Sequence, residues 1–195
     1  NGHEVDTRLS KYEVYDNLLP SRQDGVNAFI SISRGCDKFC TFCIVPFTRG
    51  RERSRTNESI IREVQDAVKN GFAEITLLGQ TVDAYGHDLK TQVDLSDLLY
   101  KLDSIDGLER IRFLTSHPQF MSERIIDAIA TLPKVCENIN LPIQAGDDNI
   151  LKSMRRTYSI DEYRNLLHTD PLQMGSPLRE KEGISLQKEW YEKTG

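Results

Sequence analysis

Three cysteines, Cys36, Cys40 and Cys43, fall within eight residues in the run Arg34-Gly35-Cys36-Asp37-Lys38-Phe39-Cys40-Thr41-Phe42-Cys43. A disulfide framework spreads its cysteines in pairs, whereas a tight trio points to metal or cluster ligation. Three thiolates from one loop can hold three corners of a tetrahedral or cuboidal site. A structural zinc site is closed by a fourth protein ligand at short spacing, and the first His to follow is His87. A [4Fe-4S] cluster on three Cys leaves one iron without a protein ligand, open to a cofactor. The spacing therefore favours an open cluster; the alternatives are zinc and a chance grouping of buried thiols. Cys136 lies far off, between a helix and a strand, and reads as a packing thiol.

A second grouping follows directly. Arg49, Arg51, Arg53 and Arg55 alternate over seven residues, with Glu52 the one acid among them. In an extended chain that spacing puts four guanidinium groups on one side, suited to phosphate contacts beside the cluster. The alternative is a salt-bridged surface loop. With 25 Lys and Arg against 30 Asp and Glu the net charge is −5, so a globally basic nucleic-acid binder is excluded and any contact must rest on such a local patch.

The elements that must position these residues alternate. Ala28-Phe29-Ile30-Ser31-Ile32 is an apolar strand running into the cysteine loop. Thr56-Asn57-Glu58 starts a helix whose Ile60, Ile61, Val64, Ala67 and Val68 share one face, and Gly71 ends it. Strand two is Glu74–Leu78, followed by Gly79-Gln80. A helix over Leu95–Ile105, a strand over Arg110–Leu114 and a helix capped by Ser122 and stopped by Pro133 come next. Strand four is expected over Asn138–Leu141, before Pro142, with helical segments over Asp148–Arg155 and Asp161–His168. Single helices between strands specify a parallel sheet with right-handed crossovers, about four βα units in all. The α/β core is expected over residues 28–168, with a linker over 1–27 and an irregular tail over 169–195. A sheet that stops at strand four has an edge to be covered or exposed.

The 195 residues suit one domain, and 38% hydrophobic with 28% charged residues is the balance of a globular chain. No apolar run has a membrane span's length and no signal-peptide pattern opens the chain, so the expected location is cytoplasmic with no membrane partner.

Cys-x3-Cys-x2-Cys with Phe42 before the last Cys, placed after strand one, resembles the signature of the radical S-adenosylmethionine (SAM) superfamily. Ser33–Cys36 and the stretch Cys43-Ile44-Val45-Pro46-Phe47-Thr48-Arg49-Gly50-Arg51-Glu52-Arg53-Ser54-Arg55 resemble the methylthiotransferases, and within them the enzymes that make 2-methylthio-N6-isopentenyladenosine in tRNA. Leu77-Leu78-Gly79-Gln80, Thr115-Ser116-His117-Pro118 and Leu141-Pro142-Ile143-Gln144-Ala145-Gly146 fall where that family has strand-end motifs. The resemblance implies a partial radical SAM (β/α) barrel with Cys36, Cys40 and Cys43 on a [4Fe-4S] cluster. SAM would be held by Phe42, Gln80, Ser116, His117, Gln144 and Arg156, since ligands sit at the carboxyl ends of parallel strands. Arg49, Arg51, Arg53 and Arg55 would meet the anticodon loop of tRNA, with no role for DNA. An electron donor of the flavodoxin or ferredoxin kind is implied. The family also carries a second cysteine trio before this region and a β domain after it, so the chain reads as the radical SAM part of a longer parent. The sister reaction on a ribosomal-protein aspartate and a non-catalytic metal-binding module are the other readings.

Overall fold

The computed structural model describes residues 20, 22 and 25–168; most of the expected linker and all of the expected tail lie outside the described residues. In chain order the elements are β1 (Asn27–Ser31), β2 (Ser33–Arg34), α1 (Val45–Thr48), β3 (Arg53–Ser54), α2 (Asn57–Lys69), β4 (Glu74–Leu78), α3 (Leu95–Asp103), β5 (Arg110–Phe113), α4 (Glu123–Thr131), α5 (Asp148–Ser153) and α6 (Ile160–Leu167). Short 3-10 turns at Val82–Ala84 and Pro118–Phe120 follow β4 and β5.

β1, β4 and β5 form a parallel sheet in that order, and the register sorts its two faces. Ala28, Ile75 and Ile111 lie in one row and Ile30, Leu77 and Phe113 in the next, all buried. The helices cover this face because their apolar residues recur at helical spacing: Ile60, Val64 and Ala67 on α2, Leu95, Leu98, Leu99 and Leu102 on α3, and Ile125, Ala128 and Ile129 on α4. Their starts are fixed by side chains that accept otherwise unpaired N–H groups, Thr56 from Ser59, Asp94 from Asp97 and Ser122 from Ile125. The rows of opposite parity are mostly polar or open to solvent: Asn27 bonds Thr76, and Glu74 takes the Arg112 guanidinium at 3.0 Å.

The expected fourth strand does not form. Val135 makes an isolated parallel bridge to Ile111, with Ile111 N–H donating to the Lys134 carbonyl (2.7 Å) and Cys136 N–H to the Ile111 carbonyl (2.9 Å). Beyond it, Ser116 N–H reaches the Asn140 carbonyl at 3.1 Å. Asn138 and Asn140 suit a strand poorly, and Pro142 has no N–H to give. The segment's carbonyls are taken instead by tyrosines: Tyr163 OH donates to Leu141 and Tyr158 OH to Ile143, both at 2.7 Å. The architecture is therefore α/β, a three-stranded parallel sheet backed by helices, with no closed barrel among the described residues. No helix of the described residues is long and apolar enough to cross a membrane.

Candidate active site at the strand ends

The cysteine loop is closed at its base by an element the sequence did not announce. Just past β1, β2 pairs antiparallel with β3, Ser33 opposite Ser54 and Arg34 opposite Arg53. Cys36 N–H extends the closure to the Gly50 carbonyl at 3.2 Å. The strands approach so closely that a Cβ at Gly35, whose φ is +78°, would lie 2.1 Å from the Arg51 carbonyl oxygen; only glycine fits. Inside the loop the Asp37 carboxylate accepts the Glu52 N–H (3.1 Å) and the Arg51 guanidinium (2.6 and 3.1 Å). Burial works against its charge, but these partners hold Asp37 below the usual carboxylate value. On the far side Thr41 N–H donates to the Met154 carbonyl (3.3 Å), and the Arg156 guanidinium stands 5.6 Å from the Phe42 ring centre. The loop is thus tied to the end of α5.

Of the three thiols, Cys36 is buried and Cys40 and Cys43 are half-buried, all unbridged. Burial pushes the Cys36 thiol up, while the Lys38 backbone N–H and the Thr81 hydroxyl, 3.9 Å from Sγ, favour the thiolate. Among the described residues no three His, Cys, Asp or Glu side chains converge as ligands of one metal ion, which would need thiolates about 2.3 Å from a common centre. A four-iron cube takes one thiolate at each of three corners and does not require that convergence. The loop's donor set, three free thiols and no fourth, fits a [4Fe-4S] cluster with an open iron.

The loops after β4 and β5 are knitted together beside it. Thr115 Oγ1 donates to the Gly79 carbonyl (2.8 Å), Val82 N–H to the Thr115 carbonyl (3.2 Å) and His117 N–H to the Asp83 carboxylate (2.7 Å). Asp83 is 1% exposed, and burial pushes its carboxyl up to about 7. Burial also pushes Glu52 up to about 7, although Lys38 Nζ lies 3.5 Å away and stands 3.7 Å over the Phe120 ring. His117 is held down to about 4 by burial, then by Arg156 and Lys38, so its imidazole is neutral at pH 7. Its ring packs against Phe120 and Tyr158, and Nδ1 accepts the Gln119 N–H at 3.3 Å.

Buried polar atoms along this edge lack hydrogen-bond partners: Ser33 Oγ, Gln80 Oε1, Ser116 Oγ and Arg156 Nε. Buried polar groups are normally satisfied, so these atoms keep hydrogen-bonding capacity that the described residues do not use. Of the six residues expected around SAM, Gln80, Ser116 and His117 lie on these two loops, while Phe42 is on the cysteine loop and Arg156 just past α5, facing each other. Gln144 stands apart: it is exposed, in a left-handed conformation (φ 74°), on the segment where the fourth strand fails to form. Sequence reasoning missed Lys38, Thr81, Asp83 and Phe120; Lys38 lies within the cysteine spacing, and Thr81 and Asp83 directly follow Gly79-Gln80, which is the signal that could have found them.

The arginines divide. Arg55 is 7% exposed and bonds Glu63, the Ser31 carbonyl (2.9 Å) and Ser59 Oγ (2.7 Å); Arg22 grips the same Glu63 from the other side. The row of four guanidinium groups on one side is therefore not realised, because Gly50 turns the chain (φ 76°) and Arg55 packs inward. Arg49 and Arg51 are exposed and Arg53 half-buried, Arg51 paired with Asp37 and Arg53 donating to the Arg49 carbonyl at 3.1 Å. Beside them Phe42, Ile44 and Phe47 are each more than 60% exposed. A separate cleft of about 260 Å³, lined by Met121, Ile126, Tyr158 and Leu166 with Glu123 and Glu162, lies between α4 and α6; the thiols do not line it.

This chain can be set beside known proteins. It is 52% identical over 154 residues to the tRNA-2-methylthio-N(6)-dimethylallyladenosine synthase of Alkaliphilus oremlandii, covering 79% of this chain and 33% of that protein. It is 50% identical over 155 residues to the synthase of the same name from Clostridioides difficile, covering 80% and 32%. The chain thus spans about a third of the length of these curated relatives. Among solved structures, the radical S-adenosylmethionine methyltransferase TsrM from Kitasatospora setae superposes with a TM-score of 0.59 at 16% identity, over 79% of this chain and 28% of that one. The cobalamin-dependent S-adenosylmethionine radical enzyme OxsB gives 0.58 at 18% identity, over 71% and 21%. These two share the fold. The model of the Radical SAM superfamily matches residues 30–169, from the strand that leads into the three thiols through the helix that follows Arg156, and with that span the chain belongs to the superfamily.

Proposed function

We propose that this chain is the radical SAM part of a tRNA methylthiotransferase acting on N6-isopentenyladenosine beside the anticodon. The observation that carries the reading is the placement of three free thiols, on a loop pinned at base and tip, beside strand-end residues whose buried polar atoms lack partners. The names of the relatives above, at about half identity, point the same way.

Cys36, Cys40 and Cys43 would hold the [4Fe-4S] cluster. When bound, the cluster and SAM together supply an electron and a carbon-centred radical that abstracts hydrogen from the substrate, and the protein's share is binding and exclusion. Arg156, with Nε free, is placed to meet a carboxylate as a charge-assisted pair. Gln80 and Ser116 offer an unpartnered acceptor and a hydroxyl to the polar groups of the same ligand. Phe42 offers an exposed ring to stack a base or cover the cluster. His117 enters neutral, as a shaped wall held by Asp83, and it carries no positive charge to compete with Arg156.

Arg49, Arg51 and Arg53 lie on the rim of the same loop and suit phosphates of an RNA loop whose target base is splayed outward. An electron donor of the flavodoxin or ferredoxin kind and a cytoplasmic location follow from the same reading.

Anaerobic reconstitution with iron and sulfide tests the core of it. About four irons per chain, brown absorbance and 5′-deoxyadenosine formed from SAM are expected, and Cys40→Ala should lose all three. A colourless zinc-loaded protein, or full absorbance in Cys40→Ala, overturns the ligand assignment. For the substrate, tRNA affinity should fall with salt, and Arg49→Ala should flatten the log–log slope by about 0.7 to 0.9.

A further inference from the structure

Thr81 is a residue that the ligand assignment leaves unused. It lies just past the Gly79-Gln80 turn, is 5% exposed, and its hydroxyl oxygen is 3.9 Å from Cys36 Sγ. Its place is not adjustable: Val82 N–H is fastened to the Thr115 carbonyl and Asp83 to His117 N–H, so the chain on its carboxyl side is clamped to the neighbouring strand-end loop. Cys36 is the most buried of the three thiols. A ligating sulfur is a thiolate and can only accept, so the Thr81 hydroxyl must be the donor. The other polar groups acting on this sulfur are the Lys38 backbone N–H and two opposed charges, Lys38 and Glu52, which are paired with each other at 3.5 Å.

We propose that Thr81 is a positioning and tuning residue that raises the reduction potential of the cluster by donating a hydrogen bond to the Cys36 thiolate. The inference rests on the function proposed above. The step concerned is transfer of one electron from an external low-potential one-electron donor to the oxidised cluster; no bond is made or broken, and the cluster gains one negative charge. A donor on a ligating sulfur stabilises that added charge, and the effect is large where water is excluded. Thr81 belongs to the β4 loop and Cys36 to the β1 loop, so the bond also couples the cluster to the residues expected to hold SAM.

The test is a mediator-controlled redox titration of the reconstituted chain, followed by the electron paramagnetic resonance of the reduced cluster. Thr81→Val keeps the shape and removes the donor; Thr81→Ser keeps the donor and removes the methyl group. With equal iron content in all three proteins, a downward shift of the midpoint in Thr81→Val and a wild-type midpoint in Thr81→Ser support the proposal. Equal midpoints in wild type and Thr81→Val overturn it. Loss of iron in Thr81→Val and Thr81→Ser alike also overturns it, because Thr81 then holds the loop and does not tune the charge. Failure of the underlying reading is seen separately, as a wild-type chain that takes up no iron before any potential is measured.

Discussion

The body of the sheet and the loops just past its strands are built to opposite standards. Within the sheet, Ile30, Leu77 and Phe113 stand in one register row with almost no exposed area, closed over by α2, α3 and α4. A few residues further on, where the strands end, Gln80 and Ser116 bury polar atoms that nothing satisfies, and Asp83 buries a carboxylate. The first region is complete as it stands. The second is held in shape from outside, by backbone bonds between loops and by ion pairs, and leaves its own polar groups unspent. Stability resides in the one and receptivity in the other, and the contrast can be tested by substitution.

The largest effect is expected at the joint between them. Glu63 receives both Arg55 and Arg22, and removing it takes the shared carboxylate away from two largely buried cations. Glu63→Ala should cost about 3 to 5 kcal/mol in urea unfolding, as loss of one member of a buried ion pair does. Leu77→Ala follows, at about 2 to 5 kcal/mol for the lost burial and the cavity left behind. A loss under 1 kcal/mol in either would mean the sheet is less tightly closed than its burial indicates.

Asp83 gives a smaller, pH-dependent effect. Burial raises its folded value from 3.8 to about 7, so between those values the folded state holds a proton that the unfolded state has released. Its contribution is therefore fully present below about 3.8, falls as pH rises through that window and is lost above about 7. Asp83→Asn keeps an acceptor for His117 N–H and removes the charge, so it should match wild type near pH 3.5 and exceed it at pH 8. His117 has the opposite sign, its value lowered from 6.5 to about 4, and costs stability as pH falls through that range. Urea midpoints of the two proteins between pH 4 and 8 decide it; curves that stay parallel would show that the folded value of Asp83 is not raised above its unfolded one.

The smallest effect on folding should come from the mouth itself. Ser116→Ala removes a buried hydroxyl with no partner, and stability should change by less than about 0.5 kcal/mol or rise slightly. SAM affinity of the reconstituted chain should drop in the same variant. A clear loss of stability with unchanged SAM affinity would place Ser116 in the first region and not the second.

How far the sequence was readable follows the same division. Helices α2, α3 and α4 and the three strands of the parallel sheet stand within a residue or two of their expected places, because apolar spacing, the caps Thr56 and Ser122 and the stops Gly71, Gly107 and Pro133 report local physics. Ser159 and its capping partner Glu162 start α6 one residue earlier than expected. The ribbon of β2 and β3 was invisible, since each strand is two residues long and is held by a partner some twenty positions away. The fourth strand was over-read: four alternating residues suggested it, but pairing depends on neighbours that a local pattern does not contain. The alternation of Arg49, Arg51, Arg53 and Arg55 assigns Arg55 to the phosphate-facing row, whereas its burial depends on Glu63, eight residues on and in another element. In the site, the thiols were legible from spacing, whereas Thr81 and Asp83 acquire meaning only once the loops after β4 and β5 are brought side by side.

The ribbon at the base of the cysteine loop has a consequence for how quickly that loop could take up its ligand. A free segment bearing three thiols must search many shapes before all three face one object, and each new contact has to order more chain. Here β2, β3 and the Gly35 close approach shut the loop during folding, and the bond from Thr41 to Met154 holds its tip. Ordering entropy is then spent with the rest of the fold and not at capture, so encounter and not rearrangement should govern the rate of loading.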